Sequence, residues 1–211
     1  GAVICQSARF DAYHAALHRL RALGKVYPCA CSRREIGDSA VSGIEGPVYT
    51  GTCRDGLASG KTARAWRIDT RGAKIEFDDA MQGRLQQNLE TDIGDFVLYR
   101  DDHVFAYQLA VAVDDAEQSI TDIVRGADLL DSTPRQIYLQ QLLGFPTPRY
   151  AHVPVAVNAA GEKLSKQTRA AAIDAQRPLP ALLATLHFLG HAPPHESSGD
   201  IASLWEWAIK D

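Results

Sequence analysis

Phe105-Ala106-Tyr107-Gln108-Leu109-Ala110-Val111-Ala112-Val113-Asp114-Asp115, followed by Ile120-Thr121-Asp122-Ile123-Val124-Arg125-Gly126, decides how the chain is read. The first run predicts a helix over Tyr107–Gln118, and the second a short apolar strand, Ile120–Val124, that stops at Arg125-Gly126. Upstream, Phe96–Tyr99 reads as a strand, Asp101-Asp102 as a turn, and Val104-Phe105 as the strand resumed. Downstream, Ser132-Thr133-Pro134 opens a helix that Gly144 closes, because Pro suits a first turn and Gly an end. Val153–Val157 then reads as a strand. Strands alternating with helices indicate an α/β unit with parallel strands.

Working outward, Ser7 is a candidate N-cap for a helix with Phe10, Tyr13, Leu17, Leu20 and Leu23 at helical spacing, closed by Gly24. Arg64–Asp69 alternates, with Trp66 and Ile68 on one face, and Lys74–Phe77 and Leu85–Leu89 are further strands. Together they predict a small, mainly β subdomain ending near residue 94. Pro180–Leu189 and Ile201–Lys210 read as amphipathic helices.

At 211 residues the chain can build one large domain or two small ones. A formal net charge of -4 excludes a broad, unspecific nucleic-acid coat but leaves room for local basic patches. Arg33, Arg34 and Arg54 form one such group, and Lys163, Lys166 and Arg169 another. There is no run of the roughly 18–20 apolar residues that span a bilayer, so no membrane partner is expected. Four cysteines, two of them one residue apart, do not read as a secreted disulfide framework, which points to a cytoplasmic setting.

Cys29-x-Cys31 precedes a stretch, 37–61, that holds six glycines, one proline and three serines and carries Tyr49-x-x-x-Cys53. So long a loop in a compact domain needs a closing element, and a tetrahedral zinc bound by soft thiolates supplies one. Three cysteines leave a fourth position to Tyr49, to water or to another residue. Cys5 lies outside the set and reads as a buried apolar filler.

Arg125 stands at the carboxyl end of a strand, where open α/β sheets bind ligands. A guanidinium there can hold a carboxylate through two parallel hydrogen bonds, and Tyr107 can add a hydroxyl. Equally, Tyr107 can be a core aromatic, and Arg125 can pair with Asp128 or Asp131. Gly161-Glu162-Lys163-Leu164-Ser165-Lys166-Gln167 carries two lysines around a serine. It suits either a solvated turn or a mobile source of positive charge for a polyphosphate.

Asp95-Phe96-Val97-Leu98-Tyr99-Arg100, the two runs quoted first with the second extended to Leu130, Thr133-Pro134-Arg135-Gln136 and Lys163–Gln167 together resemble the glutamyl-tRNA synthetase group of class I aminoacyl-tRNA synthetases. The cysteine and tyrosine spacing, Phe-Ala-Tyr-Gln-Leu-Ala and the Leu204-Trp205-Glu206-Trp207 ending are most similar to the branch that glutamylates queuosine in tRNA(Asp). The resemblance implies that Cys29, Cys31, Tyr49 and Cys53 bind Zn2+ and that Tyr107 and Arg125 bind L-glutamate. It also implies that Lys163, Ser165 and Lys166 bind ATP, taken with Mg2+, Lys166 being catalytic. The implied product is glutamyl-adenylate, whose glutamyl group passes to queuosine-containing tRNA(Asp).

The implied fold is α/β: a partial class I synthetase Rossmann-type catalytic domain with a zinc-containing, mainly β insertion and a C-terminal helical segment. Its expected parts are 1–24, a remnant of the first half of the nucleotide-binding fold; 25–94, the zinc-binding insertion; 95–160, the second half of the catalytic fold; and 161–211, a KMSKS-like loop with helices. The family's HIGH-type ATP segment and its Arg-Phe-Ala-Pro-Ser-Pro stretch do not occur in this sequence. The expectation is therefore a chain that does not form adenylate alone, and that is monomeric. Two alternatives stand beside it: a truncated glutamyl-tRNA synthetase charging tRNA(Glu), and a non-catalytic, zinc-stapled RNA-binding module.

Overall fold

The structure is a computed structural model that describes residues 4–38, 41–44, 46–165, 169–194 and 199–210. The chain divides into two compact units, Gly1–Arg125 with Leu129–His152, and Gly126–Asp128 with Val153–Asp211.

The first unit begins with a 3-10 turn, Gln6–Ala8, that leads into helix α1 (Phe10–Ala22). Ser7 sits inside that turn and Arg9 is the capping residue, so the expected serine cap is not formed. Strands β1 (Val26–Cys29), β4 (Ala65–Ile68) and β7 (Val97–Arg100) make one antiparallel sheet. Between β1 and β4 lie helix α2 (Arg33–Asp38) and a hairpin of β2 (Val41–Gly43) and β3 (Gly46–Val48). The glycine-rich stretch therefore carries short regular elements that its composition hid. Gly43 permits the hairpin to approach its neighbour, since a Cβ there would lie 2.3 Å from the Asp92 carbonyl oxygen.

A second sheet joins β5 (Lys74–Asp79) and β6 (Gly83–Asn88) to β9 (Arg149–Val153) and β8 (Asp122–Gly126), in the order β6-β5-β9-β8. One parallel pairing is present, between β5 and β9, where Asp79 lies opposite Tyr150, but β5 comes from the stretch expected to form the mainly β part and not from the α/β unit, and β7 pairs antiparallel with β4. Both sheets thus draw strands from 25–94 and from 95–160. Strand β9 ends at Val153 instead of beginning there, because Pro154 has no N–H to extend the ladder.

Helix α3 (Leu89–Asp92) follows β6, and α4 (Tyr107–Glu117) follows β7. Helix α5 (Thr133–Leu143) starts with Pro in its first turn and ends on left-handed Gly144, as its sequence predicts. Every residue from Thr133 to Gln140 is buried, polar ones included, so the helix runs through the interior instead of over it. Tyr13, Leu17, Leu20, Ile68, Ile75, Leu98, Leu109, Leu139 and Leu143 belong to the main core. Asp114 is buried against it and accepts from Tyr13 Oη at 2.8 Å, Arg9 Nε at 2.6 Å and Gln6 Nε2 at 3.0 Å. It anchors α1 instead of facing solvent. Cys5 is exposed, not a core filler.

The second unit carries α6 (Pro178–Phe188) and α7 (Ile201–Ala208). Asp200 caps α7 by accepting from Ser203 N at 3.0 Å, and Leu204 is buried. Among the described residues no helix is long and apolar enough to cross a membrane.

Candidate functional site

Cys29 closes β1, Cys31 lies two residues on, and Tyr49 and Cys53 come from the far end of the loop. Folding brings their four side-chain tips together. Cys31 Sγ is 3.6 Å from Cys53 Sγ, while Tyr49 Oη is 3.3 Å from Cys29 Sγ and 3.6 Å from Cys31 Sγ. The three sulfurs lie within 4.8 Å of one another. A tetrahedral zinc with bonds of about 2.3 Å to sulfur and about 2.0 Å to oxygen sets sulfurs about 3.8 Å apart and sulfur about 3.5 Å from oxygen. The set fits such an ion, and it could hold a metal. Burial pushes the Cys31 thiol up to about 11.

The loop is held from outside the cluster as well. Cys53 N donates to Tyr49 Oη at 3.0 Å, and Arg67 stacks its guanidinium 4.2 Å from the centre of the Tyr49 ring. Tyr49 bridges Gly94, whose positive φ and missing Cβ let the two backbones meet. Arg54 is not part of a basic surface patch: it points inward and bonds both oxygens of Asp95, at 2.6 and 2.7 Å. Asp95 also accepts from Thr70 N at 2.9 Å, from Thr70 Oγ1 at 2.8 Å and from Tyr27 Oη.

Arg125 lies near the end of β8, as expected, but neither Asp128 nor Asp131 is its partner. Its Nε donates to His152 Nε2 at 3.1 Å, and its Nη2 to Thr133 Oγ1 at 2.9 Å and Gln136 Oε1 at 2.8 Å. Gln136 Nε2 in turn donates to Gln108 Oε1 at 2.9 Å, and Gln108 Nε2 to Ser132 Oγ at 3.1 Å. The guanidinium lies 5.7 Å from the centre of the Tyr150 ring. One edge of the group is thus committed to the protein, and Nη1 is the nitrogen with no hydrogen-bond partner among the described residues. Tyr107, the first residue of α4, is 46% exposed, so it is a surface hydroxyl and not a core aromatic. Asp115, on the same helix, has its carboxyl raised by burial, against the opposing pull of Arg125.

Sequence reasoning missed the groups behind Arg125. His152 is fully buried and its Nδ1 is 2.6 Å from Asp79 Oδ2. The signal in the sequence is an acidic residue closing an alternating strand, Lys74–Asp79, and a histidine inside an apolar run.

In the second unit, Asn158 folds the lysine loop. Its side-chain oxygen accepts from Ala160 N and Glu162 N, both at 2.9 Å, and Gly161 takes a positive φ. Lys163 bridges Val157 in the backbone and forms an ion pair with Asp128 through its ammonium. Ser165 follows, half-buried. Lys166 and Gln167 lie outside the described residues.

Residues 1–179 match the family described as tRNA synthetases class I (E and Q), catalytic domain. The chain is 55% identical over 210 residues to a glutamyl-Q tRNA(Asp) synthetase from Aromatoleum aromaticum, covering 99% of this chain and 66% of that protein. It is 55% identical to one so named from Dechloromonas aromatica, covering 99% of this chain and 70% of that one. The chain therefore spans about two thirds of the length of these relatives. Among solved structures, a glutamate tRNA ligase from Elizabethkingia meningosepticum superposes with a TM-score of 0.64 at 22% identity, over 79% of this chain and 38% of that one, a likeness of fold.

Proposed function

The chain belongs to the class I tRNA synthetase (E and Q) catalytic-domain family, and from that premise we propose that it is the larger part of an enzyme that activates L-glutamate with ATP and transfers it to queuosine in the anticodon of tRNA(Asp). The observation that carries this reading is the 55% identity, over nearly the whole chain, to proteins named for that reaction.

In the first step a glutamate carboxylate oxygen attacks the α-phosphorus of ATP and pyrophosphate leaves. In the second, a cyclopentene hydroxyl of queuosine attacks the activated carbonyl and AMP leaves. Arg125 offers Nη1 to a carboxylate of the amino acid, and its other two nitrogens are pinned, so the donor arrives already oriented. This reading takes a grip centred on Nη1 in place of the two parallel bonds expected from sequence. Tyr107 adds a hydroxyl at the mouth of α4. Lys163, Ser165 and Lys166 bind the phosphates of ATP with Mg2+, Lys166 following charge onto the leaving pyrophosphate.

Cys29, Cys31, Tyr49 and Cys53 would hold Zn2+ in a structural role. These four residues would fill a tetrahedral zinc, whereas a catalytic zinc keeps one position open. The ion ties the two ends of the loop together.

The test uses the intact protein. Glutamate-dependent exchange between ATP and pyrophosphate without tRNA is expected, followed by transfer of labelled glutamate to queuosine-containing tRNA(Asp). Transfer to the terminal adenosine of tRNA(Glu) would replace this reading with that of a tRNA-charging enzyme. RNA binding with no exchange would leave only a zinc-stapled binding module.

A further inference from the structure

Three neighbouring strands each place one polar side chain in the same buried spot: Asp79 at the end of β5, His152 in β9 and Arg125 in β8. We infer that Asp79 and His152 are a positioning pair, in which Asp79 fixes the histidine proton on Nδ1 so that Nε2 accepts from Arg125 and aims its free nitrogen at the carboxylate it binds. The inference rests on the reading of Arg125 as the carboxylate-binding group.

The hydrogen bonds of Asp79 and Arg125 favour one arrangement. Asp79 Oδ1 accepts three backbone N–H groups, from Met81 at 3.0 Å, Gln82 at 2.9 Å and His152 at 3.1 Å. Oδ2 faces only His152 Nδ1 among the described residues. Burial works against the charge on Asp79, but His152 and these backbone donors outweigh it and hold the carboxyl down to about 2. An ionised carboxylate can only accept, so the proton is on Nδ1. Nε2 is then a lone pair, which suits Arg125 Nε, a donor that does not lose its proton in proteins. Thr133 Oγ1 lies 3.1 Å from the same nitrogen, and its proton has an acceptor in the Leu129 carbonyl oxygen at 3.4 Å. A proton on Nε2 would instead set N–H against N–H and push the guanidinium away. Partners one step removed from a binding group commonly fix its tautomer and orientation in this way.

The decisive variant is Asp79→Asn, which keeps the shape. Its amide oxygen is held in the Oδ1 position by the three backbone donors. The amide NH2 must then face His152 Nδ1, and as a donor it drives the ring proton to Nε2. Two measurements on the intact protein are paired: the histidine ring tautomer by 15N NMR, and the kinetics of glutamate-dependent pyrophosphate exchange. Wild type is expected to carry the proton on Nδ1. The variant is expected to carry it on Nε2, with KM for glutamate raised roughly 10- to 100-fold and KM for ATP unchanged. A wild-type proton on Nε2, or on both nitrogens, overturns the inference without recourse to any variant. So does a variant whose tautomer switches while KM for glutamate stays at the wild-type value. Wild-type protein that fails to activate glutamate, whatever its tautomer, removes the functional reading itself and with it the role assigned to the pair.

Discussion

At the scale of single residues, Arg125 shows what a strand-end position predicts and what it omits. Its place was legible because Ile120–Val124 is an apolar run that stops at a guanidinium, and strand ends are where such folds bind ligands. What surrounds it was not legible. His152, Thr133 and Gln136 reach Arg125 from other elements, and periodicity carries no record of which buried side chains face one another. Arg125→Lys makes the point testable. One ammonium cannot serve His152, Thr133 and Gln136 and still offer a nitrogen to substrate. KM for glutamate is therefore expected to rise at least about tenfold, equivalent to about 1.4 kcal/mol. Exchange kinetics indistinguishable from wild type would assign the carboxylate to another group.

At the scale of elements, the cysteine loop was the part most plainly written in the sequence. Ligand types and spacing limited what could close so glycine-rich a stretch, and folding does bring Cys29, Cys31, Tyr49 and Cys53 together. The short helix α2 and the β2–β3 hairpin were hidden, because turn-forming residues outnumber periodic ones there. Zinc bound at such a site contributes on the order of 10 kcal/mol to local folding. Metal analysis should return one zinc per chain, and a chelator should expose residues 29–53 to protease; cleavage unchanged by the chelator would count against the site. Gly94 offers an independent probe. A Cβ at this position would lie 2.5 Å from the Tyr49 carbonyl oxygen, at a φ of 75°. Gly94→Ala should therefore cost more than about 1 kcal/mol by urea denaturation and lower zinc retention together with it. Loss of stability with full zinc retention would separate the backbone crossing from the metal.

At the scale of the whole molecule, the alternation of strands and helices indicated an α/β fold, but the parallel pair that forms, Asp79 opposite Tyr150, joins it to a strand assigned to the mainly β part. The sharing of strands between the two sheets was not foreseen, because β4 pairs β7, and β5 pairs β9, across long stretches of chain. Buried carboxylates also give the first unit an acid limit. Asp79 has a folded value of about 2, well below an unfolded carboxylate near ~3.9, so its contribution is complete above that value and disappears as pH falls toward 2. The difference amounts to roughly 2–3 kcal/mol at neutral pH. Asp69, kept low by Arg71 and Arg54 despite its burial, acts in the same direction. Urea midpoints should therefore be level near neutral pH and drop between about pH 4 and pH 2, with a shallower drop in Asp79→Asn.

The convergence on Asp95 has a consequence for how the metal is lost and regained. Two donors from Arg54, two from Thr70 and one from Tyr27 reach that carboxylate, and none of them is a sulfur or requires an ion. With the metal stripped, the strand beneath and the residue next to Cys53 stay riveted to each other. The segment set free is then a tethered arc and not an open tail, and an incoming ion meets thiols whose ends have never drifted far apart.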